Sequence, residues 1–222
     1  TFNVSTAAAF VVAGCGVTVA KHGNRSVSSL CGSADILEAI GVRIDLSKEK
    51  IEQCLRGAGI AFLFAPGLHP AMKYAMPARK QINRKTIFNI LGPLCNPAQV
   101  THQLVGVYAA YLVPIVATVL GSRGLRHALV VHGNDGLDEI TTTASTTVAE
   151  YSNGSVTQYE IMPEPFGFKR VCASALAGGS ASQNAQIMLE VLNGKAGPRR
   201  DIVVFNAAAA LYGGLVLVAS GK

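Results

Sequence analysis

Residues 103–133 read QLVGVYAAYLVPIVATVLGSRGLRHALVVHG, and this stretch decides the fold class. Its two ends, QLVGVY and HALVVHG, are short apolar runs rich in β-branched side chains, which is typical of buried strands. The apolar segment between them has a helical pattern and ends at Gly121. Strand, helix and strand in this order form a crossover, so the two strands are predicted to be parallel neighbours.

The same alternation continues toward the N-terminus. Helical patterns cover residues 4–13, 33 or 35 to 41, and 47–56, and the helix after residue 70 carries Lys73, Arg79 and Lys80. Strand patterns cover residues 16–20 and 60–65, and a loop is predicted over 66–70. The sequence therefore predicts an α/β fold, with a mostly parallel central sheet flanked by helices, as a single domain over residues 1–222.

A small antiparallel hairpin is predicted after the crossover. Residues 146–151 and 156–161 alternate between apolar and polar side chains, and Ser152-Asn153-Gly154-Ser155 between them is a hairpin turn signal. Two helices are predicted beyond the hairpin, over residues 182–193 and 201–211.

The composition is that of a folded chain with a large core. Of the 222 residues 50% are hydrophobic and 14% charged, with a mean hydropathy of +0.35, which excludes a disordered protein. Residues 103–122 and 202–220 carry no charge over about the length of a bilayer span. Pro114 interrupts the first stretch, and Asn206 and the Gly213-Gly214 pair interrupt the second, so both are interpreted as buried segments and no membrane partner is expected.

Cysteines and charge narrow the choice of compartment and partner. The five cysteines are scattered and form no C-x-x-C pair, which predicts neither disulfides nor zinc and indicates a reducing, cytoplasmic location. The net charge of +6 comes without a basic run or a Trp. This favours a pocket for anionic small molecules over a nucleic-acid surface.

The densest polar stretch begins where an uncharged strand stops. Residues 21–29 read KHGNRSVSS, and Gly32-Ser33-Ala34-Asp35 follows at a helix start. Two cations, several hydroxyls, two glycines and a helix N-terminus suit phosphate oxygens. The alternative is a solvated Ser-rich loop with a helix cap. Residues 1–6, TFNVST, open another helix that could receive an anion, although Asn and Ser are also ordinary N-caps.

An acidic loop, HGNDGLDE, follows the second strand of the crossover. In open α/β sheets ligands lie beyond the carboxyl ends of the strands, so the loops after residues 20, 65 and 132 are expected to face one crevice. Asp138 and Glu139, with Asp135 nearby, suit Mg²⁺, which binds one or two carboxylates together with substrate oxygens. A solvated acidic turn is the alternative.

A basic segment contains Arg79, Lys80, Arg84 and Lys85 and fits either a partner surface or a plain solvent face. One guanidinium turned into the crevice would hold an aromatic carboxylate through two hydrogen bonds. His22, His69 and His132 lie in candidate site loops, but their spacing supports no zinc site.

Five stretches together resemble the anthranilate phosphoribosyltransferase family of tryptophan biosynthesis: TFNVSTAAAFVVAGCGVTVAKHGNRSVSS, CGSADILEAIGV, PGLHPAMKYAMPARKQ, KTIFNILGPLCNPA and HGNDGLDE. The resemblance implies transfer of a phosphoribosyl group from phosphoribosyl diphosphate to the anthranilate amine, with Mg²⁺ as cofactor and a homodimer as the assembly. KHG before a Ser-rich loop also occurs in pyrimidine nucleoside phosphorylases, so such an enzyme and a non-catalytic nucleic-acid-binding relative are the alternatives.

The resemblance also assigns roles to residues. Asn24 and Arg79 would bind anthranilate, and Ser5, Asp138 and Glu139 would hold Mg²⁺. No residue is assigned as a general base, and His22 is either a substrate contact or a spectator. The contacts to phosphoribosyl diphosphate would be Thr1, Asn3, Val4, Ser5, Thr6, Lys21, His22, Gly23, Asn24, Arg25, Ser26, Val27, Ser28, Ser29 and Ser33.

Two parts of the family pattern are not found in these residues. A Gly-rich turn that normally precedes TFNVST is absent, as is most of the family's N-terminal helical domain, and the family usually continues beyond ASGK. The chain is therefore expected to be an internal fragment that has little activity alone.

Overall fold

The computed structural model describes residues 1–26, 31–82, 86–212 and 216–218. Helices and strands alternate along the chain, as the α/β prediction requires. In chain order they are α1 Val4–Gly14, β1 Val19–Gly23, α2 Ser33–Ala39, α3 Lys48–Ala58, β2 Ile60–Phe64, α4 Ala65–Leu68, α5 Met72–Ile82, α6 Phe88–Leu94, β3 His102–Gly106, α7 Leu112–Ser122, β4 His127–Gly133, β5 Thr146–Ser152, β6 Ser155–Ile161, α8 Ala181–Leu192, α9 Pro198–Tyr212 and β7 Val216–Val218.

The strands form two hydrogen-bonded sheets. In the smaller sheet β1 pairs with β2 in parallel. The larger has the order β6-β5-β4-β3-β7, and the backbone of β7 also lies beside β1. The predicted crossover is confirmed, because β3 and β4 are parallel with His102 opposite His127. β5 and β6 form the predicted antiparallel hairpin, whose turn residues Asn153 and Gly154 have φ values of 51° and 81°.

Two local predictions were wrong. The first strand was placed at residues 16–20, but β1 runs from Val19 to Gly23, because the chain is still turning after α1 at Gly16, where φ is +89°. Lys21 and His22 are therefore strand residues. The predicted loop at 66–70 begins with the short helix Ala65–Leu68, for which Pro66 supplies a favourable early helical residue.

Helices cover both faces of the larger sheet. Leu129 and Val131 of β4 belong to the core beneath α1, α8 and α9, whereas Ala128 and Val130 belong to the core beneath α7. Alternate residues of β4 thus enter opposite cores, which explains why HALVVHG is apolar throughout. In the described ranges, no helix is long and apolar enough to cross a membrane.

Candidate functional site

The carboxyl ends of β1, β2 and β4 lead into one cavity of about 1170 Å³. Residues after each of these strands line it, so the prediction that the three loops face one crevice is confirmed. Of the predicted site residues, the cavity wall contains Thr1, Asn3, Ser5, His22, Gly23, Asn24, Arg25, Ser26, Ser33, Asp138 and Glu139.

Some predicted residues lie elsewhere. Val4 is fully buried in the core, and Thr6 and Lys21 line a second, apolar cavity of about 310 Å³. Val27, Ser28 and Ser29 fall outside the described residues. The backbone of Arg79 belongs to α5, but its side chain is likewise outside the described part of the structure.

Lys21 is a buried cation behind the cavity residue Ser5, with 2% of its surface exposed. Its Nζ donates a hydrogen bond to Ser5 Oγ at 3.1 Å, which joins β1 to the first turn of α1. Burial lowers the pKa of Lys21 to about 8, while the negative charges of Glu139 and Asp138 act in the opposite direction. Lys21 is therefore still cationic at neutral pH and lies in the field of the acidic pair.

His22 and His69 form a hydrogen-bonded pair. His22 Nδ1 lies 3.1 Å from Gly92 O, and the two Nε2 atoms are 3.1 Å apart. Burial, followed by repulsion from His69, lowers the pKa of His22 to about 4, so its imidazole is neutral at pH 7. Because a carbonyl can only accept, Nδ1 carries the proton and Nε2 accepts from His69. The pair fixes a neutral, oriented wall of the cavity.

Arg25 lies against α2. Its guanidinium forms ion pairs with Glu38 and Asp35, and stands 5.7 Å from the ring centroid of Phe64. Asp35 also accepts from the backbone N–H groups of Ser26 and Gly32, at 3.1 and 2.8 Å. Ser26 and Gly32 are therefore both held by Asp35 at the start of α2.

Asn3 has a left-handed backbone conformation, with φ 68° and ψ 53°, which residues other than glycine rarely adopt. Its amide donates to Cys31 O at 3.3 Å and accepts from Asn184 Nδ2 at 3.3 Å. Asn184 Oδ1 in turn accepts from Gly179 N at 2.7 Å. One buried asparagine on α8 thus connects three segments of the cavity wall.

The acidic loop after β4 presents Asp138 and Glu139 to the cavity. Asp135 instead accepts from Leu137 N at 3.0 Å and from the hydroxyls of Thr141 and Thr143, and so closes the loop on itself. Gly106 lies directly beneath, since a Cβ there would come 1.6 Å from Asp138 O. This close approach requires glycine at the end of β3.

The donors in the cavity fit magnesium. Ser5, Asp138 and Glu139, which all line the cavity, supply one hydroxyl and two carboxylates. Within the described ranges no group of three or more His, Cys, Asp or Glu side chains is placed to hold a metal. Mg²⁺ binds through one or two carboxylates and completes its shell with water and substrate oxygens, so this sparse set suits it.

Sequence reasoning missed an apolar wall. The cavity is also lined by Phe88, Leu91, Gly92 and Cys95, on and just after α6. Two amides hold this segment in place: Gln103 Nε2 donates to Pro93 O at 2.6 Å, and Asn96 Nδ2 donates to Ala20 O at 3.1 Å. An apolar wall beside oriented imidazoles suits an aromatic ring.

The Gly178-Gly179 turn before α8 was also missed. It lines the cavity, and a Cβ on Gly178 would come 2.7 Å from Thr1 O. A glycine pair followed by a helix-capping Ser180 was a usable sequence signal.

Comparison with known proteins agrees with this architecture. The model of the "Glycosyl transferase family, a/b domain" matches residues 1–216. The chain belongs to this glycosyl transferase family. Among its curated relatives, anthranilate phosphoribosyltransferase of Pelobacter propionicus is 58% identical over 211 residues, covering 95% of the chain and 60% of the relative.

Solved structures of anthranilate phosphoribosyltransferases show the same fold. Anthranilate phosphoribosyltransferase of Thermus thermophilus has a TM-score of 0.89 at 40% identity, over 95% of this chain and 63% of that one. The Saccharomyces cerevisiae enzyme in complex with PRPP and Mg has a TM-score of 0.86 at 30% identity, over 97% and 61%. The chain therefore spans about 60% of the length of the relatives it matches.

Proposed function

We propose that residues 1–222 form the catalytic α/β domain of an anthranilate phosphoribosyltransferase. The reaction transfers the phosphoribosyl group of 5-phosphoribosyl 1-diphosphate to the amine of anthranilate, in tryptophan biosynthesis. The names of the relatives support this assignment, as does the yeast structure with PRPP and Mg. The cytoplasm is the proposed location, on the basis of the five scattered cysteines, which form no C-x-x-C pair.

The two kinds of group that line the cavity carry the proposal. One set offers helix N-termini, hydroxyls and the acidic pair, which suit a magnesium diphosphate. The other offers Phe88, Leu91 and the His22–His69 pair, which suit a planar aromatic ring. Asn24 lies on the cavity wall, and we propose that it and Arg79 bind the anthranilate amine and carboxylate.

In the proposed reaction the anthranilate nitrogen attacks C1 of the ribose while the bond from C1 to the diphosphate oxygen breaks. The electron pair of that bond leaves with diphosphate, and the new secondary amine releases its proton to water. Magnesium held by Ser5, Asp138 and Glu139 would neutralise charge on the diphosphate. Lys21 adds a buried positive charge behind Ser5, and the cavity walls fix the approach of the two reactants.

A homodimer is the proposed assembly. It is what the resemblance to the anthranilate phosphoribosyltransferase family implies.

An assay separates the proposed activity from the nucleoside phosphorylase alternative. The protein in its full natural length is offered anthranilate with phosphoribosyl diphosphate and Mg²⁺, and the decay of anthranilate fluorescence is followed. A parallel reaction contains thymidine and phosphate. We expect turnover in the first reaction; release of thymine in the second, without anthranilate consumption, would overturn the proposal.

A further inference from the structure

We propose that Asn206, on α9, is a positioning residue that fixes the Asp138-Glu139 pair in its metal-binding geometry. The inference rests on the magnesium site of the proposed function and assigns the role to a residue outside the cavity wall. Asn206 and Ile140 are each 1% exposed, so their contact lies entirely inside the protein.

The contact is a two-point clamp on the residue that follows Glu139. Asn206 Oδ1 accepts from Ile140 N at 3.0 Å, and Asn206 Nδ2 donates to Ile140 O at 2.8 Å. The second hydrogen of the amide goes to Ile202 O at 2.9 Å, one turn earlier on α9. Both amide hydrogens and the carbonyl oxygen are therefore used. A side-chain amide binds both backbone groups of a single residue, as a neighbouring strand would.

Packing alone does not explain why an amide side chain is present at position 206. Ile140, Ile202, Phe205 and Ala207 belong to one apolar core, where a leucine of similar size would fill the space without a buried amide. The amide is compensated only because the loop backbone meets it. We infer that the benefit of Asn206 lies in the position of that backbone.

The acidic pair is held on its other side as well. Asp138 O lies directly over Gly106, and Asp135 closes the preceding turn through Leu137 N and two threonine hydroxyls. Asn206 completes this arrangement. Without its amide, Ile140 N and Ile140 O would both lose the hydrogen bonds described above. Hydrogen bonds that hold metal-binding residues in place orient the ligands, and their loss typically weakens metal affinity by about 10–100-fold.

The test measures metal binding directly, in the protein of full natural length and without substrate. Mn²⁺ is titrated, and the loss of the free-ion electron paramagnetic resonance signal gives the dissociation constant. For Asn206→Leu we expect that constant to rise about tenfold or more. Phe205→Leu is the matched control, because it alters the same core beside Phe166 and Phe168 but leaves in place the Asn206 amide that bonds to Ile140. An unchanged Mn²⁺ affinity in Asn206→Leu, or an equal loss in Phe205→Leu, would overturn the inference.

Two further measurements keep the result interpretable. Asp138→Asn tests the metal site itself: if it leaves Mn²⁺ binding unchanged the proposed site is wrong, whereas weaker binding there with no effect of Asn206→Leu rejects the clamp alone. If Asn206→Leu does not fold, Asn206→Ser replaces it. Amide hydrogen exchange of the unaltered protein needs no variant, and an Ile140 amide exchanging as fast as exposed loop amides would also reject the clamp.

Discussion

Lys21 Nζ donates to Ser5 Oγ across the junction of the first strand and the first helix, at 3.1 Å. The ammonium is buried, and its surroundings disfavour the charged form, since its pKa falls from 10.5 to about 8. The protein therefore keeps a charge at a cost in stability, next to the place proposed for the diphosphate. Stability and activity should respond in opposite directions when the charge is removed.

Replacing Lys21 with methionine tests whether the buried charge lowers stability while it raises activity. Lys21→Met retains the apolar stem and removes the buried charge, so we expect a thermal midpoint equal to or above that of the unaltered protein. The kcat/KM for phosphoribosyl diphosphate should fall about 100-fold or more. Calorimetry and steady-state kinetics give the two values. Lys48→Met, at an exposed position, should change neither, and a marked fall in the midpoint of Lys21→Met would contradict the reasoning.

The buried His22 predicts an acid-sensitive fold. Burial lowers the pKa of this imidazole from 6.5 to about 4, so the unfolded chain binds a proton more readily than the folded one between these values. The contribution of His22 to the free energy of unfolding is complete above about pH 6.5 and is lost as the pH falls toward 4. The total change is about 3 kcal/mol. Urea unfolding at a series of pH values measures it. His22→Gln should flatten the curve in this window, and an unchanged slope would show that other groups are responsible.

Gly106→Ala should disturb the acidic loop. The added Cβ would come 1.6 Å from Asp138 O, so the loop backbone must move, at a cost of about 1–3 kcal/mol. We expect lower stability and weaker Mn²⁺ binding. Gly57→Ala is the control, because a Cβ there meets nothing within 4 Å and alanine favours the helix by about 1 kcal/mol. Unaltered Mn²⁺ affinity in Gly106→Ala would show that the loop tolerates the shift.

Asn184→Ala should affect the phosphate half of the site. It removes the acceptor for Gly179 N and a donor to Asn3, whose left-handed conformation it helps to hold. We expect KM for phosphoribosyl diphosphate to rise about tenfold, in line with the loss of about 1–3 kcal/mol for unsatisfied buried partners. The exposed Gln186→Ala on the same helix should leave KM unchanged. A lower thermal midpoint with normal KM would reduce Asn184 to a structural role.

Local patterns were sufficient for most of the fold. The two runs of residues 103–133 predicted β3 and β4 and their parallel order, and Asn153-Gly154 predicted the hairpin turn. Each depends on neighbouring residues, which is why the sequence alone reveals it. The start of β1 was missed because Gly16 continues the turn after α1, and the uncharged residues 17–20 gave no sign of where pairing begins.

The site was predictable where polar residues interrupt an apolar pattern. KHGNRS and LDE stand out in this way, and most of their described residues line the cavity. Asn206 also interrupts an apolar stretch, but a lone amide in a helix gives no sign of what it binds, and Asn184 stands between Gln183 and Gln186 in α8. Their partners lie 181 and 66 residues away in the chain, and only tertiary structure brings them together.

The separation of Ile140 and Asn206 along the sequence also affects the order in which the site can form during synthesis. The acidic loop emerges from the ribosome 66 residues before the amide that clamps it. When β4, β5 and β6 have emerged from the ribosome, α9 has not yet been made. These strands can therefore pair before Asp138 and Glu139 are fixed by Asn206. By the proposed clamp, the acidic pair gains its fixed position only once α9 has emerged, after β1 to β6 have been made.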